Sequence, residues 1–241
     1  MSFRRLSLGS AAKLRRLPIM PLELHPMRES DIPAATRINF AAFGPDLMQI
    51  LYPHGHTTAD LDHSIKENTE SFHKHKDSTL FTKVIDTSLP NDEFQQIVGT
   101  ALWRIYEKPR TEVELDAEAK EAMDHEPAPG ADTKCMEAFF GSILKARRTH
   151  TKGDPFALLN ILTTHPDHHR RGIGAMQLKH GLETVDRLGL PAWLEGSPKG
   201  APLYERFGWQ GVGWLDFDEQ AWGMKKALPH RLMLRPAKAT K

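Results

Sequence analysis

The chain reads as an α/β (α+β) protein, a mixed, twisted central sheet of about six to seven strands flanked by helices. Three observations predict this. Two β-rich runs, TLFTKVIDTS (79–88) and QIVGTALWRIYEK (96–108), are joined by a link that opens with the turn signal LPND, and together they read as a hairpin. A buried apolar run, PFALLNILTTHP (155–166), then leads through a polar connector into a helical pattern and a further strand-like run, PAWLEG. That is a strand–helix–strand unit past the midpoint. Strand and helix patterns alternate over the rest of the chain, with no internal repeat.

Taken in order, LELHPMR (22–28) reads as a first strand. In ESDIPAATRINFAAF, Ser30 or Asp31 offers a helix cap, and Ile32, Ala35, Ile38 and Ala42 recur at helical spacing. A second helical stretch, 58–75, is polar except for Leu61, Ile65 and Phe72 on one side. After the hairpin the character changes, and 109–153 reads as an insertion. Seven acids fall from Glu112 to Glu126, followed by PAPGAD and the amphipathic pattern CMEAFFGSILKARR. The acidic run reads either as a solvated helix or mobile loop, or as a wall that attracts a cationic ligand. Facing a ligand site, it favours a polyamine or basic peptide; as a disordered segment it leaves a small neutral amine or metabolite equally open. Farther on, Ile173, Met176, Leu178, Leu182, Val185 and Leu188 carry a helix to Gly189, a natural C-terminal stop. PAWLEG follows as a strand, APLYERFGW as a short helix, and HRLMLRP as the last strand.

Bulk properties narrow the class. With 241 residues, 39% hydrophobic and 26% charged, residues 20–241 suit one globular domain. A formal charge of +1 argues against nucleic acid as a partner. No apolar run approaches the roughly 20 residues that span a bilayer, so no membrane partner is expected. One cysteine, Cys135, excludes an intramolecular disulfide, and its setting, TKCMEAFFG, reads as a helix's core face. A cytoplasmic protein is the expectation. The first 19 residues modify it, because Arg4, Arg5, Lys13, Arg15 and Arg16 occur with no acid before Glu23. The composition resembles an organellar transit peptide, which would make the location mitochondrial. A disordered basic arm, or a true start at Met20, are the other readings.

The chemistry concentrates in HHRRGIGAMQLKHGLE (168–183). A helix N-terminus presents unpaired N–H groups and a partial positive charge. Gly172 and Gly174 let an anion approach the backbone, and Arg170 and Arg171 add charge, so the segment reads as a phosphate or pyrophosphate site. A Walker loop is excluded by spacing. A dinucleotide fingerprint is disfavoured, since Gln177 stands where its third glycine belongs and only 67 residues follow Gly174. His165, His168 and His169 cluster, as do His54 and His56, but no zinc-ligand pattern accompanies them and no metal is expected.

LLNILTTHPDHHRRGIGA together with LYERFGW resembles the GCN5-related N-acetyltransferase (GNAT) superfamily, and the combination looks most like its filamentous-fungal branch. Tyr204 falls 29 residues after Ala175, in the expected order. The sequence departs from the family pattern in having His169 at the usual Gln/Arg position, Ser197 at a usual Asn, and Trp209 at a usual Phe.

The resemblance implies a GNAT-like sheet and direct transfer of an acetyl group from acetyl-CoA to an amine acceptor. It implies that Arg170, Arg171, Gly172, Ile173, Gly174 and Ala175 hold the pyrophosphate by backbone amides, and that Leu162, Thr163 and Thr164 run beside the pantetheine arm. Ser197 would replace part of the Asn contact to that arm. Tyr204 would be the general acid. The strands at 158–164 and 192–195 would splay to admit the cofactor. Glu195, at a strand end, is a candidate base, and Asn160 is a polar residue inside an apolar strand. A non-catalytic acyl-CoA-binding module and an O-acyltransferase on a hydroxylated metabolite are the alternatives.

Overall fold

The computed structural model describes residues 21–238 apart from 91, 125 and 225–228, so the basic segment 1–19 and Met20 lie outside the described residues. The chain runs β1 (Leu22–Pro26), α1 (Ile32–Leu51), α2 (Thr58–Lys74), β2 (Thr79–Asp86), a short α3 (Glu93–Gln96) and β3 (Ile97–Tyr106). It continues with α4 (Glu112–Met123), α5 (Thr133–Thr151), β4 (Phe156–Thr164), α6 (Ile173–Arg187), β5 (Ala192–Gly196), α7 (Ala201–Arg206), β6 (Gln210–Trp214) and β7 (Arg231–Arg235). The strands form one mixed seven-stranded sheet in the order β1-β2-β3-β4-β5-β7-β6. The expected hairpin is the antiparallel β2–β3 pair, and β4–α6–β5 is the expected strand–helix–strand unit.

Local chemistry sets the helix ends. Thr57 and Asp60 form a reciprocal capping box that starts α2. Asp31 stands at the cap position of α1, yet its carboxylate accepts from the Arg28 N–H at 2.7 Å and from Lys83 Nζ at 2.5 Å instead of capping the helix. Gly189, at φ 64°, ends α6, and the Leu190 N–H returns to the Val185 carbonyl. The strand without a sequence signal is β6, QGVGW. Two glycines interrupt its pattern, and Trp214 is 62% exposed on the sheet edge, so pairing with β7 alone defines it.

Both faces of the sheet are covered. On one, Leu178, Leu182 and Val185 of α6 pack against Trp103, Leu194 and Met233. On the other, Phe139 and Ala146 of α5 pack against Leu158, Trp193 and Leu232. The first contact is so close that a Cβ at Gly181 would sit 2.2 Å from Trp103 Nε1. A mid-helix glycine costs about 1 kcal/mol against Ala, and this approach explains its presence.

Most of the acidic run forms helix α4, and four of its acids are ion-paired. Glu112 and Asp116 of α4 pair with Arg148 of α5, Glu118 with Arg110, and Glu121 with Lys74 and His75. Among the described residues no helix is long and apolar enough to cross a membrane.

Candidate active site

The sheet opens between β4 and β5. These parallel neighbours pair only at Ala157↔Ala192 and Leu158↔Trp193, although β4 runs on to Thr164 and β5 to Gly196. A bulge lies beside the opening. Leu102 faces Ile161 while Trp103 faces Leu159, so Asn160 is the extra residue, and such bulges re-aim a strand. Beyond the last pair the strands splay into a cleft of about 690 Å³. Leu162, Thr163, Thr164, Arg170, Gly172, Ile173, Gly174, Ala175, Glu195, Ser197 and Tyr204 all line it.

One end of the cleft is built from backbone. Arg170 and Gly172 take positive φ values of 65° and 84°, turning the chain sharply into α6. Among the described residues, nothing accepts a hydrogen bond from the amides of 170–175, the first of α6 included. Successive free N–H groups at a helix N-terminus form a concave anion site. Gly174 lies against α7, since a Cβ there would come within 3.1 Å of Leu203.

The side chain of Arg171 is a correction to the sequence reading. Its guanidinium does not line the cleft but bonds Asp86 at 2.6 Å and meets His168 Nδ1 at 2.8 Å. Burial opposes ionisation of Asp86, but hydrogen bonds from Ser88 and Arg171 outweigh it and hold its pKa below the usual range. The arginine therefore fastens the loop to the end of β2. His168 is itself kept below the usual imidazole range by burial and by Arg171. The His169 ring lies 3.1 Å from the Thr164 carbonyl.

Tyr204 stands where α7 meets the cleft. Its ring fits because positions 196 and 200 lack side chains, since a Cβ on Gly200 would approach the ring to 2.9 Å. Trp209 meets the ring edge-on at 6.0 Å. Burial pushes the phenol up to about 12, and its hydroxyl has no hydrogen-bond partner among the described residues. A proton donor with an unused proton faces the cleft. Ser197 Oγ accepts the Gly200 N–H at 3.2 Å, and its own hydrogen is left to donate. Behind β4, the Thr163 hydroxyl donates to Asn39 Oδ1 at 2.8 Å, which ties the strand to α1.

Glu195, the candidate base, lies in the cleft but is already engaged. Arg147 grips its carboxylate at 3.0 and 2.8 Å, and the Trp193 indole N–H adds a bond of 2.6 Å. A carboxylate gripped by a bidentate guanidinium and an indole N–H has its oxygens occupied and its position fixed. The same arginine donates to Asn160 Oδ1 at 3.2 Å, so Glu195 and Asn160 share one anchor that bridges the splay. Cys135 is buried on the core face of α5, and that burial pushes its thiol up to about 11.

Arg147, Glu219 and His230 carry no functional signal in the sequence. The last two line the cleft from the stretch between β6 and β7, which carries no motif.

No family model matches the chain. Its shape, however, matches solved structures over nearly the full length of each. An acetyltransferase from Corynebacterium glutamicum, described as histone acetyltransferase HPA2 and related acetyltransferase, is 19% identical with a TM-score of 0.58, covering 92% of this chain and 99% of its own. A mosquito arylalkylamine N-acetyltransferase-like protein is 17% identical at a TM-score of 0.60, covering 89% and 99%. The chain has the GNAT fold. The C-terminal condensation domain of Ebony, solved with beta-alanyl-dopamine, is 14% identical with a TM-score of 0.60 and coverage of 90% and 99%. Within this GNAT fold the present chain gathers its bare amides, its splayed strands and Tyr204 around one cleft.

Proposed function

We propose that the chain is an acetyl-CoA-dependent N-acetyltransferase that moves the acetyl group directly to an amine. The observation that carries this reading is the run of unpartnered amides at 170–175 at one end of a gap between parallel strands. The residues fit the cosubstrate. The amides and the start of α6 receive a pyrophosphate, the free edge of β4 at Leu162, Thr163 and Thr164 bonds an amide-bearing arm, and Ser197 adds a hydroxyl beside it. Tyr204, protonated at neutral pH, supplies the proton the leaving thiolate needs. A β4 backbone N–H serves the oxyanion. The names of two neighbours add support for an amine acceptor: one is an arylalkylamine N-acetyltransferase-like protein, the other holds beta-alanyl-dopamine.

The test is calorimetric titration of acetyl-CoA into the wild type and Ala175→Glu. A glutamate in the first turn suits the helix dipole, so the variant keeps its fold, while its carboxylate occupies and repels the anion site. Micromolar binding by the wild type, lost in the variant, is the expected result. No heat from the wild type with acetyl-CoA or longer acyl-CoAs refutes the reading.

A further inference from the structure

We propose that Glu219 and His230 form the acceptor subsite: the Glu219 carboxylate receives the ammonium of a primary amine with an apolar body, and His230 takes the proton that amine must lose before it attacks. This rests on the acyltransferase reading above and adds the residues and the kind of amine.

Glu219 is the unusual acid of this molecule. It is 5% exposed, lines the cleft, and among the described residues no cation or hydrogen-bond donor reaches its carboxylate. A carboxylate that lines the cleft with no cation beside it is an acceptor for one that arrives with the ligand. Its backbone is held firmly. The Glu219 carbonyl accepts the Trp222 and Met224 N–H groups at 3.2 and 3.1 Å, and Phe217 stacks on Trp222. Glu195, the other acid of the cleft, is already neutralised by Arg147. Glu219 is therefore the carboxylate left for a ligand cation.

His230 has the complementary property. Its Nδ1 is buried with no hydrogen-bond partner, and its ring meets Phe139 edge-on at 5.5 Å. Its carbonyl accepts the Leu215 N–H at 2.9 Å, fixing the approach to β7. Burial lowers its pKa, with Glu195 opposing, so the imidazole is neutral at pH 7 and able to accept a proton. Position matters as much. His230 packs with Phe139 on the α5 face of the sheet, whereas Tyr204 packs with Leu194 and Met233 on the α6 face. The splay is where both faces reach one cavity. A proton acceptor thus lies on one side of the gap and a proton donor on the other.

Phe43, Leu47 and Met224 supply apolar wall to the same cleft, and Gly44, at φ 72°, breaks α1 directly after Phe43. The matching acceptor carries an apolar group beside its amine. In the step itself, the ammonium gives one proton to His230 and becomes a neutral amine. Its lone pair forms the C–N bond at the thioester carbonyl as the C–S bond breaks. The thiolate gains a proton from Tyr204, the nitrogen's second proton passes through water to restore the Tyr204 hydroxyl, and His230 returns its proton to water. The sum is amide, free thiol and one released proton.

The probes are 2-phenylethylamine and 2-phenylethanol with acetyl-CoA, read by thiol release, with acetyl-CoA affinity measured calorimetrically on each protein. Wild type is expected to turn over the amine and not the alcohol. Glu219→Gln should raise KM for the amine by about tenfold or more, the loss of one charged contact. His230→Gln should lower kcat by about 100-fold or more, the scale of general-base catalysis. Both variants should bind acetyl-CoA as the wild type does, which reports an intact fold. Acetyl-CoA binding without amine turnover overturns the assigned acceptor class. Turnover unaffected by both substitutions overturns the two residues. A wild type that fails to bind any acyl-CoA fails the underlying reading instead.

Discussion

The two ends of the cleft are made of different material. At the α6 end the cleft offers main-chain amides, presented by a turn through Arg170 and Gly172. At the α5 end it offers side chains, Glu195, Glu219 and His230, from β5 and the stretch before β7, with Arg147 of α5 behind Glu195. A backbone site needs only the right turn and the absence of obstruction, so many side chains are tolerated there. A side-chain site depends on each partner, and changing one alters the rest.

The largest expected effect therefore lies at the side-chain end. Arg147→Met should destabilise the protein by about 3–5 kcal/mol, because it leaves Glu195 buried as an uncompensated charge. Urea denaturation measures this, and adding Glu195→Gln should restore much of the loss. A single variant as stable as the wild type would mean the pair contributes nothing to the splay. Next comes the group that stands between the two ends. Tyr204→Phe keeps the ring packing and removes only the hydroxyl proton, so kcat should fall about 100-fold, or about 2.7 kcal/mol, with acetyl-CoA affinity unchanged. An unchanged kcat in steady-state assays assigns the thiolate's proton to solvent.

The smallest effect belongs to the anchor of the backbone end. Asp86→Asn weakens the bond to Arg171 and should cost about 1–3 kcal/mol at neutral pH. Because the folded pKa of Asp86 is depressed, the wild type holds this stabilisation above the unfolded carboxyl pKa of about 3.9 and loses it as pH falls through the lower folded value. The variant's stability should thus change less with acid below about pH 4, as denaturation across pH would show. Equal acid sensitivity in the two proteins would remove Asp86 from the account.

The same contrast explains what the sequence could reveal. Gly172 and Gly174 before an apolar helical pattern carry a physical meaning by themselves, because bare backbone at a helix start has few other uses. The β4–α6–β5 unit and its splay followed from that stretch and its resemblance. Glu195, by contrast, was legible as a strand-end acid but not as a bound one, since its partner Arg147 lies 48 residues earlier on another element. The acids of 112–126 had two readings, and only the placement of Arg110, Arg148, Lys74 and His75 decides between them. Glu219 sits in a stretch without period or motif and His230 at the very start of the last strand run, so tertiary structure alone brings them to the cleft.

The short pairing of β4 with β5 also has a mechanical side. By position β4 is the middle strand of seven, yet past Leu158 it is paired on one side only, which makes it an edge strand inside a sheet. The sheet is two half-sheets, β1 to β4 and β5 with β7 and β6, stitched by two residue pairs. Whatever lies in the gap and bonds β4 acts as a missing strand, and its binding energy adds to folding stability by mass action. The seam should be where the empty protein first exchanges its amide hydrogens, and where a filled one gains most of its rigidity.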